Sequence, residues 1–293
     1  MTYSHQSMTR KSHFVSFGAG RPCYRAALGR LRKEITDFDS QATLWFFDEE
    51  IATIQIAELG ETLRDFASRY PRGFGLWIWK PWILKRVLLE VNDGDYVFYL
   101  DAGCSVHTSV ASRARFDWYL DYLSQHTFLF FQQPYLERNW SKKEVIDHFL
   151  LNEKQRASGQ ALGTIQGYLA SEKSRQFVDQ WLSACSMNSG RFLQDVNDVE
   201  LEDGVFIEHR HDQSVFSCLA KSRNVPMLKD ETFHHPKWNR DGDGYPIWAT
   251  RKCSGLPSWM GYYAPRAWPW VIKSRLLRKP LTPLLDPEVF PRD

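Results

Sequence analysis

Apolar residues recur along the first half of the chain in two alternating patterns. Short apolar runs, typical of buried strands, alternate with stretches in which the apolar residues are three or four positions apart, such as Leu28, Leu31 and Ile35. The pattern predicts strands at residues 13–17, 43–47, 96–100 and from 127, and helices at 24–35, 55–69, 81–92 and 112–124. Strands and helices that alternate at this spacing indicate an α/β domain with a mostly parallel central sheet flanked by helices.

Polar residues mark the predicted helix starts in the second half. Ser141 and Glu144 form the S-x-x-E pattern of a capping box, which predicts a helix from this point. Ser171 is expected to cap a helix over residues 172–185. Asp212 stands just ahead of the apolar run SVFSCLAK, in the position of an N-cap. A helix cap is therefore one interpretation of Asp212, beside any role in chemistry.

Composition limits the class of protein. A chain of 293 residues with 43% hydrophobic and 25% charged residues is long enough for a substantial core and is ordinary for a globular enzyme. Its five cysteines are scattered and show no C-x-x-C spacing, so neither a disulfide framework nor a zinc knuckle is expected. No stretch approaches the ~18 apolar residues needed to span a bilayer. We expect a cytoplasmic location.

Charge is distributed unevenly at the C-terminal end. Residues 245–285 contain seven basic residues and no acidic one, interleaved with tryptophan and tyrosine. This composition suits an anionic membrane surface or a nucleic acid. We expect peripheral association with the inner face of the cytoplasmic membrane and no nucleic-acid partner. Packing of this segment on the preceding domain is the alternative. We divide the chain into a main domain at 1–245 and a basic, aromatic extension at 246–293.

Residues 72–104 carry the clearest chemical signal in the sequence. A glycine-rich aromatic loop leads into a helix expected to begin at Pro81, and the strand YVFYL then ends at a single carboxylate, Asp101. In open α/β sheets, ligands bind at the carboxyl ends of the strands. Asp101 is therefore predicted to lie in an enzyme site.

The loop itself has the composition of a phosphate site. Arg72 and Lys80 offer positive charge to a diphosphate, Gly75 permits close approach of the backbone, and Trp77 or Trp79 could stack on a base or sugar. The spacing is neither that of a Walker loop nor that of a G-x-G-x-x-G turn, so a P-loop kinase or a dinucleotide dehydrogenase is not indicated. Core packing is the competing interpretation of Trp77.

The segment GFGLWIWKP, followed about twenty residues later by YLDAGC, resembles bacterial glycosyltransferase-like proteins of polysaccharide gene clusters, which have the nucleotide-sugar-binding GT-A fold. Further matches occur in the same order, over roughly residues 13–235: Trp140-Ser141-Lys142, Gln166-Gly167 and His211-Asp212-Gln213-Ser214. The resemblance implies a GT-A-like, Rossmann-like domain at 1–245.

The resemblance also implies a reaction, the transfer of a sugar from a nucleotide-diphosphate sugar to a glycan or lipid-linked acceptor in capsule or lipopolysaccharide synthesis. Asp101 and Gly103 then belong to the donor site, and Lys142 to an acceptor wall. Asp212 is the candidate base of an inverting enzyme. In a retaining enzyme Asp212 or Gln213 would instead orient the acceptor, and the sequence leaves both open.

GT-A enzymes commonly hold a divalent cation with a D-x-D motif, whereas Asp101-Ala102-Gly103 lacks the second carboxylate. Mn²⁺ or Mg²⁺ could still bind to Asp101 together with diphosphate and water oxygens, with His235 as a further ligand. The same departure motivates the alternative function, a non-catalytic carbohydrate-binding protein that keeps the GT-A fold.

Overall fold

The computed structural model describes residues 10–19, 22–48, 50, 65–232, 242, 244–250 and 252. The strands are β1 (Ser12–Phe17), β2 (Thr43–Phe47), β3 (Tyr96–Leu100), β4 (Ser105–Val106), β5 (Phe128–Leu136), β6 (Gly159–Ala161), β7 (Ile165–Leu169), β8 (Met227–Lys229) and β9 (Ile247–Trp248). The helices are α1 (Pro22–Phe38), α2 (Trp79–Glu90), α3 (Val110–His126), α4 (Glu137–Trp140), α5 (Lys143–His148), α6 (Glu153–Arg156), α7 (Glu172–Ser186) and α8 (His211–Ser222). Turns of 3₁₀ helix occur at Arg191–Leu193 and Val199–Leu201.

A seven-stranded sheet forms the centre of the molecule. Its order is β2-β1-β3-β7-β5-β6, with β8 also paired to β5. Strand β1 is parallel to β2 and β3, and β5 is parallel to β8, whereas β7 is antiparallel to both β3 and β5. Strands β1, β2, β3, β5 and β8 therefore run in one direction, and only β6 and β7 oppose them. The predicted α/β class with a mostly parallel sheet is confirmed.

Helices cover both faces of the sheet, which explains why β3 is apolar at every position. Val97 and Tyr99 point into the core beneath α2, α7 and α8, whereas Phe98 and Leu100 point into the core beneath α1 and α3. All five residues of β3 are buried. Because a strand covered on both faces cannot alternate apolar with polar residues, the first polar residue after it falls at the edge of the sheet. That residue is Asp101.

Helix starts were predicted with mixed success. Ser171 caps α7 as expected, since its side chain accepts a hydrogen bond from the backbone of Ser174. The capping box at Ser141 is wrong, because α5 begins at Lys143 and the Ser141 hydroxyl instead donates to buried Glu137. The N-cap assignment of Asp212 is also wrong, because α8 already begins at His211 and Asp212 lies inside its first turn.

The described part of the C-terminal extension lies beside the loop that follows β3. Strand β9 pairs with β4, and the backbone of Lys252 donates to Gly103 O at 2.9 Å. The rest of the extension, and with it the predicted membrane contact, lies outside the described residues. Within the described residues, no helix combines the length and apolar character that crossing a bilayer requires.

Candidate active site

Strand β3 delivers Asp101 to the carboxyl edge of the sheet and holds its backbone on two sides. The Asp101 N–H donates to Thr164 O at 2.9 Å, and the Cys104 N–H donates to Asp101 O at 2.8 Å. The second bond closes a tight turn over residues 101–104. The side chain is 33% exposed, although it follows a fully buried strand. A ligand at the edge of the sheet could therefore reach this carboxylate.

The glycine-rich loop forms a left-handed turn ahead of α2. Residues 73–77 all have positive φ, including the non-glycine residues Phe74 (53°), Leu76 (51°) and Trp77 (59°). This geometry costs roughly 1–2 kcal/mol for each residue with a side chain. Tertiary contacts hold it in place: the Trp79 indole N–H donates to Gly73 O at 3.0 Å, and the Trp79 ring stacks on Phe17 with centroids 4.1 Å apart.

The turn sets the start of α2 and the direction of Lys80. Helix α2 begins at Trp79 rather than at the predicted Pro81. Pro81 is in the first turn, where its missing N–H leaves no hydrogen bond unmade. Trp79 and Lys80 are buried, so the first turn of α2 packs against the edge of the sheet instead of facing solvent.

Three segments that are distant in sequence meet at the Lys80 ammonium. Its Nζ lies 2.9 Å from Asp212 Oδ2, 3.5 Å from Asp101 Oδ1, and 3.1 Å from Gly163 O, to which it donates a hydrogen bond. The contact with Asp212 is an ion pair rather than a well-aligned hydrogen bond. Lys80 and Asp212 are each 3% exposed. We call Lys80, Asp101, Asp212, Tyr99 and Gly163 the Lys80 cluster.

Tyr99, on β3, is the last member of the cluster. Its hydroxyl donates to Asp101 Oδ1 at 2.5 Å, and its ring centroid is 5.1 Å from Lys80 Nζ. Oδ1 of Asp101 therefore contacts both the Tyr99 hydroxyl and the Lys80 ammonium. Among the described residues, no hydrogen bond or ion pair reaches Oδ2, which makes it the oxygen available to a ligand.

Burial and charge shift the titration of three groups in the cluster. Burial raises the pKa of Asp212 to about 6, because the loss of solvent outweighs the nearby Lys80 ammonium. For Lys80, burial acts to lower the pKa, but Asp101 and Asp212 together raise it. Burial, and then the charge of Asp101, raise the pKa of Tyr99 well above its ordinary value. At neutral pH Lys80 is thus charged, Tyr99 is protonated and Asp212 is ionised.

A chain of glutamines extends from the Lys80 cluster into the protein. The Gly163 N–H donates to Gln213 Oε1 at 3.2 Å, and Gln213 Nε2 donates to Gln160 Oε1 at 2.7 Å and Gln133 Oε1 at 3.1 Å. Gly163 thereby connects Lys80, through its carbonyl, with Gln213, through its N–H. Sequence reasoning selected Gln213 but missed its two partners, although Gln133 comes soon after the apolar run FLFF within β5.

Two of the predicted site residues are used within the protein. The Lys142 ammonium donates to the carbonyl oxygens of Arg191 at 2.6 Å and Gln194 at 3.2 Å, so it fixes that loop rather than pointing at Lys80. The Gly103 carbonyl accepts hydrogen bonds from the Thr250 hydroxyl at 2.8 Å and from the Lys252 backbone.

The remaining predicted residues lie in the left-handed turn or next to it in the sequence. Trp77 is partly buried and stacks on His211 with ring centroids 5.6 Å apart, beside Asp212 in the sequence. Arg72 forms a surface ion pair with Glu208 at 2.8 Å. Gly75 has φ of 87°, and a Cβ at this position would lie 3.3 Å from the backbone nitrogen of Ala67. Trp79 packs in the hydrophobic core.

The fit to a divalent cation is partial. No group of three or more histidine, cysteine or acidic side chains suited to a metal occurs within the described ranges. Asp101 offers one open oxygen, and the cation between the two carboxylates is the Lys80 ammonium. His235, the other predicted ligand, lies outside the described residues, so the metal site remains a prediction.

The sequence matches no family model and no curated protein. Solved structures of glycosyltransferases align with most of the chain, at low identity. Mouse xyloside xylosyltransferase 1 is 8% identical over 84% of this chain and 100% of its own, with a TM-score of 0.45. A glycosyltransferase involved in glycosylation of the PBCV-1 major capsid is 10% identical over 86% and 98%, with a TM-score of 0.45. The galactosyltransferase LgtC, in complex with donor and acceptor sugar analogs, is 12% identical over 88% and 99%, with a TM-score of 0.44.

Proposed function

We propose that the protein transfers a sugar from a nucleotide-diphosphate sugar to a glycan or lipid-linked acceptor of a cell-surface polysaccharide. One observation carries this proposal. Lys80, Asp101 and Asp212 come from three separate segments that resemble glycosyltransferase-like proteins, and their side chains meet in one charged cluster. The cluster lies at the carboxyl end of β3, where an open α/β sheet binds its ligands.

Asp212 suits the part of a general base. A carboxyl group whose pKa is about 6 is ionised at neutral pH yet basic enough to accept a proton from a sugar hydroxyl. In an inverting reaction, the acceptor oxygen bonds to the anomeric carbon, the bond from that carbon to the diphosphate breaks, and the hydroxyl proton passes to Asp212. A retaining reaction would use Asp212 and Gln213 to orient the acceptor instead.

The charge of the cluster indicates what Asp101 binds. Two carboxylates and one ammonium leave a net negative charge, which repels a diphosphate and attracts sugar hydroxyls or a cation. Asp101 Oδ2 is the atom that would hold Mn²⁺ or Mg²⁺, and a cation bound there would neutralise the leaving diphosphate. Chelation with EDTA followed by addition of each metal measures whether activity depends on it.

Donor hydrolysis tests the proposal directly. The protein is incubated with UDP-, GDP- and CMP-sugars, and slow release of free nucleotide is expected from one of them. Asp101→Asn should reduce this release about a hundredfold or more. Asp179→Asn should not, because Asp179 belongs to an exposed ion pair with Lys85. Binding of a sugar without turnover of any donor would instead favour the non-catalytic carbohydrate-binding alternative.

The placement of the protein at the membrane is a separate part of the proposal. Arg266, Lys273, Arg275, Arg278 and Lys279 lie beside Trp268 and Trp270 in the sequence. Each basic residue near an anionic surface contributes about 1 kcal/mol. Deletion from Ala264 onward should therefore reduce binding to phosphatidylserine vesicles at low salt while sparing donor hydrolysis. If the full-length protein ignores such vesicles, the membrane placement is wrong.

A further inference from the structure

We propose that Lys80 is a positioning residue, which holds Asp101 and Asp212 in place and does not contact the diphosphate of the donor. This inference rests on the proposed function, and it changes the role that the sequence suggests for Lys80. The glycine-rich loop would then supply the site with an internal counter-ion rather than with a phosphate ligand.

The first argument is the number of hydrogens that Lys80 has to give. An ammonium group has three N–H donors and no acceptor. Lys80 has three polar neighbours within 3.5 Å: Asp212 Oδ2, Asp101 Oδ1 and Gly163 O. Gly163 O accepts a hydrogen bond and the two carboxylates contact Nζ as ion pairs, so these three oxygens around the ammonium all belong to the protein.

The second argument is the enclosure of the side chain. Lys80 is 3% exposed, and two aromatic rings flank the ammonium: Tyr99 with its centroid at 5.1 Å and Trp79 at 5.9 Å. A phosphate oxygen could reach Nζ only by displacing one of the three protein oxygens, and two of these belong to carboxylates, which carry the same sign of charge as the phosphate. The carboxylates are thus both the barrier to the phosphate and the groups that Lys80 serves.

The third argument is the consequence of removing the ammonium. Asp212 and Asp101 approach the same nitrogen atom from two segments, and without it their charges would repel each other in a largely buried site. The two side chains would then lose their common anchor. A lost anchor lowers the turnover number, whereas a lost phosphate ligand weakens donor binding.

Kinetics of Lys80→Met, Asp212→Asn and the double variant test this role. We expect Lys80→Met to reduce kcat by about tenfold or more while the donor Kd changes less than about threefold. In the Asp212→Asn background the further loss of kcat from Lys80→Met should be much smaller, because interacting residues are not additive. Lys85→Met, an exposed lysine on the same helix, is the matched control and should leave both values unchanged.

The inference would be overturned if Lys80→Met raised the donor Kd tenfold and kept its kcat. It would also be overturned if the kcat of the double variant fell by the product of the two single losses. The free energies of unfolding of the wild type, Lys80→Met, Asp212→Asn and the double variant give a readout that needs no substrate. Lys80→Met should destabilise the wild type more than it destabilises Asp212→Asn, and equal destabilisation contradicts the proposal. If Lys80→Met does not fold, Lys80→Gln is used in the same cycle. A wild type without activity on any donor would refute the proposed function, and the stability cycle would still decide the role of Lys80.

Discussion

Among the described residues, the Lys221–Glu137 site and the Lys80 cluster both place a carboxylate beside a buried lysine, and they differ in their balance of charge. Lys221 pairs with Glu137 at 2.8 Å, and Glu137 also accepts hydrogen bonds from Ser141, Ser217 and Gln160. The Lys221 ammonium donates in addition to the carbonyl oxygens of Gln155 and Ser158. One positive charge thus meets one negative charge, and Glu137 has no exposed surface. The Lys80 cluster has one ammonium for two carboxylates, and one of those is a third exposed.

On the proposed function, the same pair of chemical groups serves structure at Glu137 and ligand binding at Asp101. The Lys221–Glu137 pair is neutral and fully hydrogen-bonded, so it has no free donor or acceptor for a ligand. Its removal should therefore lower the free energy of unfolding. The Lys80 cluster keeps one carboxylate oxygen and one negative charge in excess. Its removal should be measured mainly in activity.

Glu137→Leu should have the largest effect on stability. The substitution leaves the Lys221 charge buried without its partner, which typically costs about 3–5 kcal/mol. Urea denaturation of the variant and the wild type measures this change, and Asp101→Asn in the same experiment should lose less than about 1 kcal/mol. Equal losses for the two variants would remove the distinction between the two sites.

Asp101→Asn should have the largest effect on activity. We expect donor turnover to fall about a hundredfold or more, which is typical when a positioned charged group is lost from a reaction centre. The fold should remain, because Asn has nearly the same size and still accepts the hydrogen bond from Tyr99. Circular dichroism provides the control for folding. Turnover close to that of the wild type would mean that Asp101 is not part of the reaction.

Asp212 should give the Lys80 cluster a pH dependence of its own. Its pKa rises from an ordinary value of 3.8 to about 6 in the folded protein, so the folded state binds this proton more tightly than the unfolded state. The stabilisation from that proton is present at low pH and is lost between pH 4 and pH 6. Asp212→Asn should lack this loss when unfolding free energies are measured from pH 4 to 7. In the wild type, turnover should rise through pH 6 as the carboxylate forms.

Arg72→Ala should have the smallest effect on stability. The Arg72–Glu208 pair is 51% and 39% exposed, and solvent screens such pairs to less than about 1 kcal/mol. The loss of this exposed ion pair gives a reference against which the losses at both buried sites can be compared. If Arg72 binds the donor diphosphate, as its sequence context predicts, the donor KM should rise although thermal stability stays the same. An unchanged KM would assign Arg72 to the surface alone.

The sequence was sufficient to predict the alternation of strands and helices and the position of Asp101. Both depend on local patterns, namely an apolar run and the first polar residue beyond it. Tyr99 was missed although it precedes Asp101 by two positions, which places both side chains on one face of the strand. The contact of Lys80 with Asp212 was not predictable in the same way, because it depends on how α2 and α8 pack on the sheet. The role of Ser141 was not predictable for a related reason, since its hydroxyl donates to buried Glu137 instead of capping a helix.

The left-handed turn at residues 73–77 restricts which protein sequences can retain this site. Phe74, Leu76 and Trp77 are unbranched at Cβ, and a valine, isoleucine or threonine in their place would be strained at positive φ. At Gly73 even a methyl group would meet the Trp77 ring at 2.4 Å. Divergent relatives that keep the Lys80 cluster should therefore carry glycine, asparagine or unbranched residues along this stretch. Backbone handedness, as much as catalytic chemistry, would then be a signature for recognising them.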